Sequence, residues 1–312
     1  VINMYDMHYD LLTILYCIFN KKINLKLEDI KKIYDNNVIG GIVNLYFMSK
    51  QEMKEQLNIE YFDVSKMFKE SIEYLEKLKQ NNIIPKDINF IYSIEGCDYL
   101  KDILELEYLY KLGLRSILPV WNEESKFGSG IRSDKGLTEL GKKLIKKSID
   151  LNMIIDVSHA NEKTFDDVLD IIEKYNYPNV IASHSNVKSL CDNKRNLSDK
   201  QLIRLKELGG YIGLVGYSNF LSLDNKNMNY QEKQEKFIKH LKYLIDAIKF
   251  PIDKIFVSSD DMSWNNKFYN KDVFNIFKIK EELFELIEKY YSKEIANLIL
   301  IENPKKLIEK VK

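Results

Sequence analysis

Features that mark secreted, membrane-bound and nucleic-acid-binding proteins are scarce in this sequence. Its three cysteines lie far apart with no CxxC spacing, a pattern that gives no sign of a zinc ribbon, a redox pair or a disulfide framework. Lys plus Arg and Asp plus Glu both number 47, so no net charge favours nucleic acid or an anionic membrane surface. No apolar run approaches the ~18 residues that span a bilayer, and no basic-then-apolar leader opens the chain. We therefore expect a cytoplasmic protein in a reducing compartment, with no nucleic-acid or membrane partner.

Linkers are scarce as well. The 312 residues contain 5 prolines, and no Gly/Ser/Pro-rich or low-complexity tract divides them. A hydrophobic content of 45% is enough to bury a large core at this length. We expect one domain over residues 1–312, with no accessory domain before the first predicted strand.

What the sequence does contain is a regular alternation of two patterns. Short runs rich in Ile and Val are each followed by a longer charged segment with apolar residues at helical spacing. The predicted strands are Val1–Tyr9, Val38–Phe47, Ile88–Ile94, Arg115–Val120, Met153–Val157, Asn179–Ser183, Tyr211–Gly216 and Lys254–Ser258. The predicted helices are Gln51–Gln80, Cys97–Leu112, Thr138–Leu151, Glu162–Tyr175, Asp199–Leu208, Gln231–Phe250 and Lys280–Tyr291, with a shorter one within Leu11–Tyr34. This pattern predicts an α/β fold, a (β/α)₈ TIM barrel, and a doubly wound open sheet remains the alternative because strand number does not prove closure.

Local signals mark several element ends. Ser198 precedes an apolar stripe and is expected to cap a helix, which then ends at Gly209 and Gly210 before the next strand. His240 lies in a helix whose apolar positions form the buried stripe, so we expect its imidazole at the solvated edge with no functional role.

Polar side chains occupy the carboxyl ends of the predicted strands, where the active-site groups of a βα barrel lie. They are Asp6, His8 and Asp10 in strand 1, Glu95 after strand 3, His159 after strand 5, His184 after strand 6, and Asp260 with Asp261 after strand 8. These ends hold three of the four histidines in the chain, so they are the expected location of the chemistry.

The residue types at these ends indicate metal binding. Period-2 alternation places the polar residues of strand 1 on one face, so His8 and Asp10 can bind a single ion. Imidazole and carboxylate ligands suit zinc or another first-row divalent ion better than calcium. His159 and His184 can hold a second ion, and the two oxygens of Glu95 can bridge the pair. Each residue alone has an ordinary structural explanation, but their joint placement indicates a two-metal hydrolase.

The strand-end motifs follow one another in a particular order. They are "DMHYD", "SIEG", "LGLRSI", "GLTELG", "DVSH", "ASHS", "KRNL" and "SSDD". In this order and spacing the sequence resembles the renal or membrane dipeptidase family, the M19 metallopeptidases of the amidohydrolase superfamily. The similarity covers nearly the whole chain and is most specific between Gly136 and Asp199.

The resemblance implies a metal centre in an amidohydrolase-like barrel that has an extra C-terminal helix. Such a centre would hold two Zn²⁺ per chain, and other divalent ions could take their place. By position in the motifs, His8 and Asp10 would bind one ion, His159 and His184 would bind the other, and Glu95 would bridge the two.

The resemblance also implies an activity, the hydrolysis of dipeptides, including some with a C-terminal D-residue, and of certain β-lactams. A metal-bridging hydroxide would be the nucleophile, and Asp260 would be the acid/base group that passes a proton to the leaving amine. Arg195 would hold the free carboxylate of the substrate, because a planar guanidinium can grip a carboxylate in two places. Asp6 is expected to support the ligands rather than join them. Family members are often homodimers, so a homodimer is expected too.

The sequence departs from the family pattern at two places. Where the family usually has a histidine after strand 4, this chain has Trp121 followed by Asn122, which we assign to substrate binding. Both can donate a hydrogen bond to a carbonyl oxygen or an oxyanion, but neither has a titratable imidazole nitrogen. Loss of such a donor can lower the rate by about 10²–10³. The turn "SSDDMSW" also lacks the family's glycines. We expect this to change the shape of the pocket floor, whereas the acid/base position is kept by Asp260.

Three functions follow from these observations. The leading one is a zinc-dependent dipeptidase, a metallopeptidase whose partner is a small peptide with a free carboxylate. An alternative is a related hydrolase of another carboxylate-bearing amide or lactam, which Trp121 would favour. The third is a metal-binding homologue with impaired catalysis, against which the presence of Asp260 argues.

Overall fold

Eight parallel strands form one sheet in the computed structural model, which describes residues 3–23, 30, 38–260 and 280–312. The strands are β1 Met4–Tyr9, β2 Val38–Tyr46, β3 Asn89–Glu95, β4 Leu114–Leu118, β5 Ile154–Asp156, β6 Val180–Ala182, β7 Tyr211–Val215 and β8 Ile255–Ser258. Each strand pairs with the next one along the chain. The first two residues of the predicted strand 1 lie outside the described residues.

The first and last strands lie side by side and bring the sheet to a nearly closed barrel. The backbone N–H of Asp260 donates to the carbonyl oxygen of His8 at 3.1 Å. The carboxylate of Asp6 accepts hydrogen bonds from the backbone N–H and the hydroxyl of Ser259 at 2.9 and 2.5 Å. A doubly wound sheet would reverse its strand order and keep its two edges apart, so the predicted TIM barrel is confirmed and the open sheet is excluded.

Helices connect the strands on the outside of the barrel. In chain order they are α1 Leu11–Phe19, α2 Lys50–Leu57, α3 Val64–Gln80, α4 Ile103–Lys111, α5 Glu139–Asp150, α6 Glu162–Lys174, α7 Asp199–Glu207, α8 Ser218–Leu221, α9 Tyr230–Lys242, α10 Lys280–Tyr290, α11 Lys293–Asn297 and α12 Asn303–Glu309. The predicted cap of α7 is confirmed, since the Ser198 side chain accepts the Gln201 N–H, and Gly209 adopts a φ of 72° just after this helix. Within the described ranges, no helix has the length and apolar character needed to cross a bilayer.

The helix predicted over Gln51–Gln80 is in fact two helices. Ser49 caps α2 with its side chain, and Asn58 ends it in the left-handed conformation at φ 53°. Asp63 then caps α3. The apolar spacing continues across the break, which is why the helical period alone predicts one helix, whereas the capping side chains stabilise two.

The C-terminal helix α12 lies against the amino-terminal end of the barrel. Leu307 and Ile308 are fully buried there, in a cluster with inward-facing side chains such as Ile91 and Phe256. Burial of each of these aliphatic side chains contributes about 1.5–3 kcal/mol. The extra C-terminal helix predicted from the resemblance is thus present, and it closes this end of the barrel so that the carboxyl end remains for a site.

His240 on α9 is buried, contrary to the expectation of a solvated edge position. Its side chain is 1% exposed, because the loop after β6 and the end of helix α8 contact this side of the helix. The imidazole Nδ1 accepts the backbone N–H of Val187 at 3.1 Å, and Nε2 donates to the carbonyl oxygen of Leu221 at 3.3 Å. Burial lowers the pKa of His240 to about 4. The error arose because the helical period identifies one buried stripe and cannot show a second contact made by other segments of the chain.

Candidate metal centre

The predicted metal ligands lie together at the carboxyl end of the barrel. His8 and Asp10 come from β1 and its end, Glu95 ends β3, and His159 and His184 follow β5 and β6. Their exposed fractions run from 0% to 7%. Charged and polar groups at this depth need compensating partners, since burial without them costs several kcal/mol.

Strand β1 reaches this arrangement through an irregularity. Its register with β2 shifts between Asp6 and Tyr9. Met7 therefore packs in the apolar cluster above α12, and the adjacent His8 still turns toward Glu95, although strict alternation would send the two to opposite faces. Strict alternation of side chains, which we used for strand 1, is thus too simple. The local register shift is what orients His8 toward the site.

Glu95 lies between two sets of histidines. Its Oε2 atom is 2.9 Å from Nε2 of His8. Its Oε1 atom is 2.7 Å from Nε2 of His159 and 3.8 Å from Nε2 of His184. The two oxygens of one carboxylate therefore face ligand atoms from opposite sides of the barrel.

Three overlapping groups of potential ligand atoms form within the described residues, and the atoms of each group lie within 4.8 Å of one another. The groups are His8 with Asp10 and Glu95; Glu95 with His159 and His184; and His8 with His184 and Asp260. Glu95 belongs to the first two groups. This donor set of imidazole and carboxylate fits two first-row divalent ions that share one carboxylate.

The charges of the cluster also fit cations. Burial opposes the charge of Glu95, yet His8 and His159 outweigh it and hold the pKa of Glu95 below its ordinary value. Burial opposes a positive charge on His8 as well, but the surrounding carboxylates outweigh it and raise the pKa of His8 to about 10. Burial lowers the pKa of His159 to about 3 and that of His184 well below its ordinary value. The carboxylates thus favour a positive charge at the position of His8. The imidazoles of His159 and His184 stay neutral, as histidines must be to bind a metal ion.

Each histidine is held through the ring nitrogen that faces away from Glu95. Nδ1 of His159 lies 2.8 Å from Oδ1 of Asn122. The hydroxyl of Ser183 lies 3.1 Å from Nδ1 of His8 and 2.8 Å from Nδ1 of His184. Such contacts fix the ring orientation of metal-binding histidines.

Asp260 lies at the edge of the same cluster, two residues after the end of β8. Its Oδ1 is 3.9 Å from Nε2 of His8, and its side chain is 22% exposed, more than that of either neighbouring carboxylate. Its backbone has a φ of 47°, which a non-glycine residue adopts only at some cost. Asp261, named with it in the sequence, lies outside the described residues.

A cavity of about 270 Å³ opens above the cluster. Of the predicted residues, Asp10, Glu95, Trp121, Asn122, His159 and Asp260 line it. The indole of Trp121 lies nearly parallel to the imidazole of His159, with ring centroids 5.9 Å apart and an interplanar angle of 28°. Trp121 is therefore part of the cavity wall next to the cluster.

Arg195 is placed behind the cluster and is 6% exposed. Its guanidinium donates hydrogen bonds to the carbonyl oxygens of Ser158 and His184, the latter at 3.4 Å. Burial lowers the pKa of Arg195 to about 10. It is not one of the residues that line the cavity.

Sequence reasoning missed five residues of the cavity wall, which are Tyr46, Met48, Glu52, Arg132 and Tyr217. Tyr46 ends β2 and Tyr217 follows β7, so the strand-end rule could have found both. Arg132 could not be found in this way, because the β4–α5 loop carries it over the ring of Trp121 at 5.5 Å and pairs it with Glu52 and Glu123.

A βα barrel with potential histidine and carboxylate metal ligands at its carboxyl end has the architecture of metal-dependent hydrolases with an amidohydrolase-like fold. Comparison with known proteins narrows this class. The chain belongs to the membrane dipeptidase family, peptidase family M19, whose sequence profile matches residues 3–312. This is a metallopeptidase family, and the resemblance seen in the motifs is confirmed.

Individual relatives agree with this membership. An uncharacterized protein of Acinetobacter calcoaceticus, described as lying in the PQQ-III 3' region, is 32% identical over 215 residues, which are 64% of this chain and 66% of that protein. A metallopeptidase from Rhodobacter sphaeroides, solved with a phosphinate mimic of the dipeptide L-Ala-D-Ala, is 23% identical with a TM-score of 0.76 over 100% of this chain and 99% of its own. Dipeptidase AC, a metallopeptidase of family M19, is 24% identical with a TM-score of 0.75 over 99% of this chain and 98% of its own. The two structures support the fold. The alignments to five curated relatives span 26% to 66% of those proteins.

Proposed function

We propose that this protein is a dipeptidase that works with two divalent metal ions, for which zinc is the expected element. Family membership and one structural observation support this. Glu95 directs one carboxylate oxygen at His8 and the other at His159 and His184, which is the arrangement needed for a carboxylate shared by two ions. The proposal treats residues 1–312 as one functional barrel domain.

The chain supplies a ligand set for each ion. His8 and Asp10 would hold one ion, His159 and His184 would hold the other, and Glu95 would contact both. Bound there, the ions would polarise the peptide carbonyl and lower the pKa of a water molecule so that it can attack at neutral pH.

Asp260 is proposed as the acid/base group. Its carboxylate lines the cavity beside the cluster and is more exposed than Asp10 and Glu95, so a substrate can reach it. In this role it would take a proton from the attacking water and deliver it to the amine that leaves.

Recognition of the substrate carboxylate is proposed for Arg195, with Trp121 and Asn122 contacting the substrate near the scissile bond. Trp121 and Asn122 line the cavity, whereas Arg195 lies behind it against two carbonyl oxygens. Arg132 is a second candidate for the carboxylate, because it lines the cavity with its side chain 49% exposed.

The proposed substrates are dipeptides, including some with a C-terminal D-residue. The structural relative from Rhodobacter sphaeroides binds a mimic of such a dipeptide, which makes this choice the first to test. A related amide or lactam hydrolase is the second candidate. It is favoured by the indole of Trp121 in the cavity wall, whose ring centroid lies 5.9 Å from that of His159.

The test is hydrolysis of a panel of L,L and L,D dipeptides by the zinc-loaded protein and by Asp260→Asn. We expect turnover by the wild type and a large loss in the variant with zinc content unchanged. Asp192→Asn, at a position 82% exposed, is the matched control and should keep full activity. If no dipeptide is hydrolysed, or the Asp260 variant is as fast as the control, the dipeptidase assignment fails; activity on lactams alone would favour the second candidate.

The two arginines are separated by comparing dipeptides with their C-terminal amides. A residue that binds the carboxylate should, when replaced by glutamine, raise KM for the free acid about tenfold or more and leave KM for the amide unchanged. Arg195→Gln and Arg132→Gln each serve as the control for the other. An equal effect on acid and amide would show that the residue acts on the structure of the site instead.

A further inference from the structure

A single buried hydroxyl lies behind both halves of the metal centre. Ser183, which follows β6, has no exposed surface. Its Oγ contacts Nδ1 of His8 at 3.1 Å and Nδ1 of His184 at 2.8 Å. These two histidines belong to the ligand groups on opposite sides of Glu95. Ser183 is therefore placed to act on both positions at once.

The direction of the hydrogen bonds behind Ser183 can be derived from Asp156. The carboxylate oxygen Oδ1 of Asp156 accepts the backbone N–H groups of Ser158 and Ser183 at 3.0 and 3.1 Å. It also accepts the Ser158 hydroxyl at 2.6 Å. The Ser158 oxygen in turn accepts the backbone N–H of His184 at 3.2 Å. The one hydrogen of Ser158 is thus used, so a hydrogen bond across its 3.3 Å contact with Ser183 has the Ser183 hydroxyl as its donor.

This direction determines what Ser183 can do for the histidines. A serine hydroxyl has one hydrogen and two acceptor lone pairs. With its hydrogen directed to Ser158, its oxygen accepts, and both imidazoles donate to it through Nδ1–H. Donation of that hydrogen to Nδ1 of His184 would require the other tautomer of that ring. A neutral imidazole with a proton on Nδ1 has a bare Nε2, and Nε2 is the atom that both rings present to Glu95.

We propose that Ser183, oriented by Ser158 and Asp156, fixes His8 and His184 in the Nδ1–H tautomer so that both bind a divalent ion through Nε2. The proposal rests on the two-metal function above. Ser183 is a positioning residue, since it acts through the histidines. His159 obtains the same tautomer independently, because its Nδ1 faces the amide oxygen of Asn122 at 2.8 Å.

One neighbouring side chain gives a corollary. The Nδ2 atom of Asn44 lies 3.2 Å from Nδ1 of His8, and its Oδ1 atom is buried with no hydrogen-bond partner among the residues described. The oxygen and nitrogen of an amide have nearly the same shape. With a proton on Nδ1 of His8, the amide of Asn44 would be reversed from this placement, with its oxygen toward that nitrogen as a second acceptor.

The experiment combines zinc affinity with the protonation state of the imidazoles. In the zinc-loaded wild type, ¹⁵N NMR should find Nδ1 protonated on His8, His159 and His184. Ser183→Ala should lower the affinity for both zinc equivalents by about 10–100-fold, measured against a competing chelator. It should also speed solvent exchange of the Nδ1 protons of His8 and His184 but not of His159.

Ser116→Ala is the matched control, because Ser116 on β4 is equally buried and makes no hydrogen bond to the histidines among the described residues. Ser158→Ala is the second variant, for use if Ser183→Ala does not fold. It frees the Ser183 hydrogen, so we expect a smaller loss of zinc affinity and a faster exchange at one or both rings.

The outcomes separate this inference from the proposed function. A wild type that binds no zinc would overturn both. A wild type that binds two zinc ions, with Ser183→Ala and Ser158→Ala as tight as Ser116→Ala, would overturn the role of Ser183 alone. Coordination of His8 or His184 through Nδ1 would do the same.

Discussion

The stability of this protein should fall in weak acid because of His240, a histidine outside the metal centre. Its Nδ1 accepts the Val187 N–H, which can only donate, so the buried imidazole is neutral in the folded chain. Protonation would place a second hydrogen between Nδ1 of His240 and the backbone nitrogen of Val187. It would also place a charge on a residue that is 1% exposed. Burial, with a smaller contribution from Lys236, accordingly lowers the pKa of His240 to about 4 from 6.5.

The sign and size of the effect follow from these two pKa values. As the pH falls through 6.5, His240 in the unfolded chain binds a proton, whereas in the folded chain it does so only near 4. Over that interval the unfolded state binds more protons, so the free energy of unfolding decreases as the pH decreases. The full contribution is present above pH 6.5. At ~1.36 kcal/mol per pH unit, the loss by about pH 4 amounts to about 3 kcal/mol.

Urea unfolding between about pH 7.5 and about pH 4.5 measures this loss, with the same metal content in every sample. Carboxylates also titrate in this range, so the informative quantity is the difference between the wild type and His240→Gln. Glutamine offers one acceptor and one donor but does not titrate. We expect the advantage of the wild type to shrink by about 2.5 kcal/mol between these two pH values.

Lys239→Gln, at the adjacent exposed position, serves as the control and should follow the wild type at every pH. A constant difference between wild type and His240→Gln across this range would refute the reasoning, since it would mean that the buried imidazole does not resist protonation. A difference that grows in acid would contradict the sign itself.

Three further predictions concern the site. Dialysis against a chelator should abolish dipeptide hydrolysis, and added zinc should restore it; activity that survives with less than about one-tenth of the metal left would contradict a metal-dependent reaction. Trp121→His should raise kcat on dipeptides by up to about 10²-fold if an imidazole is the missing donor, and an unchanged kcat with an altered KM would show that the indole only shapes the cavity. Gly213→Ala should destabilise the protein by about 1–3 kcal/mol or more in thermal unfolding, because a Cβ at this position of β7 would lie 1.9 Å from the carbonyl oxygen of Ser183. Stability equal to the wild type would contradict that close approach.

Much of the fold was predictable because it depends on short-range patterns. The strands of the barrel are recognisable in the sequence as Ile- and Val-rich runs. Residues at or after the strand ends, such as Glu95 and His184, are of types that bind metal ions. Caps such as Ser198 are equally local, since a side chain bonds to a backbone group a few residues away. The homodimer and the cytoplasmic location stay predictions.

The errors arise where contacts come from distant parts of the chain. The burial of His240 depends on the loop after β6 and on helix α8, which no helical period in α9 can reveal. The orientation of the His8 side chain depends on a register shift between β1 and β2. This shift breaks the alternation of side chains between the two faces of β1 on which the prediction rested. Arg132 enters the cavity because a loop carries it over Trp121, and nothing near it in sequence indicates that position.

The sequence by itself determined the order of strands and helices, the kinds of ligand at the strand ends and the family to which the chain belongs. Only the tertiary structure decided which nitrogen of each histidine faces Glu95, that Arg195 lies behind the cavity, and that Ser183 contacts His8 and His184 together. The physical reason is that ligand type is a property of one side chain, whereas tautomer, orientation and access depend on hydrogen bonds between residues as far apart as 175 positions.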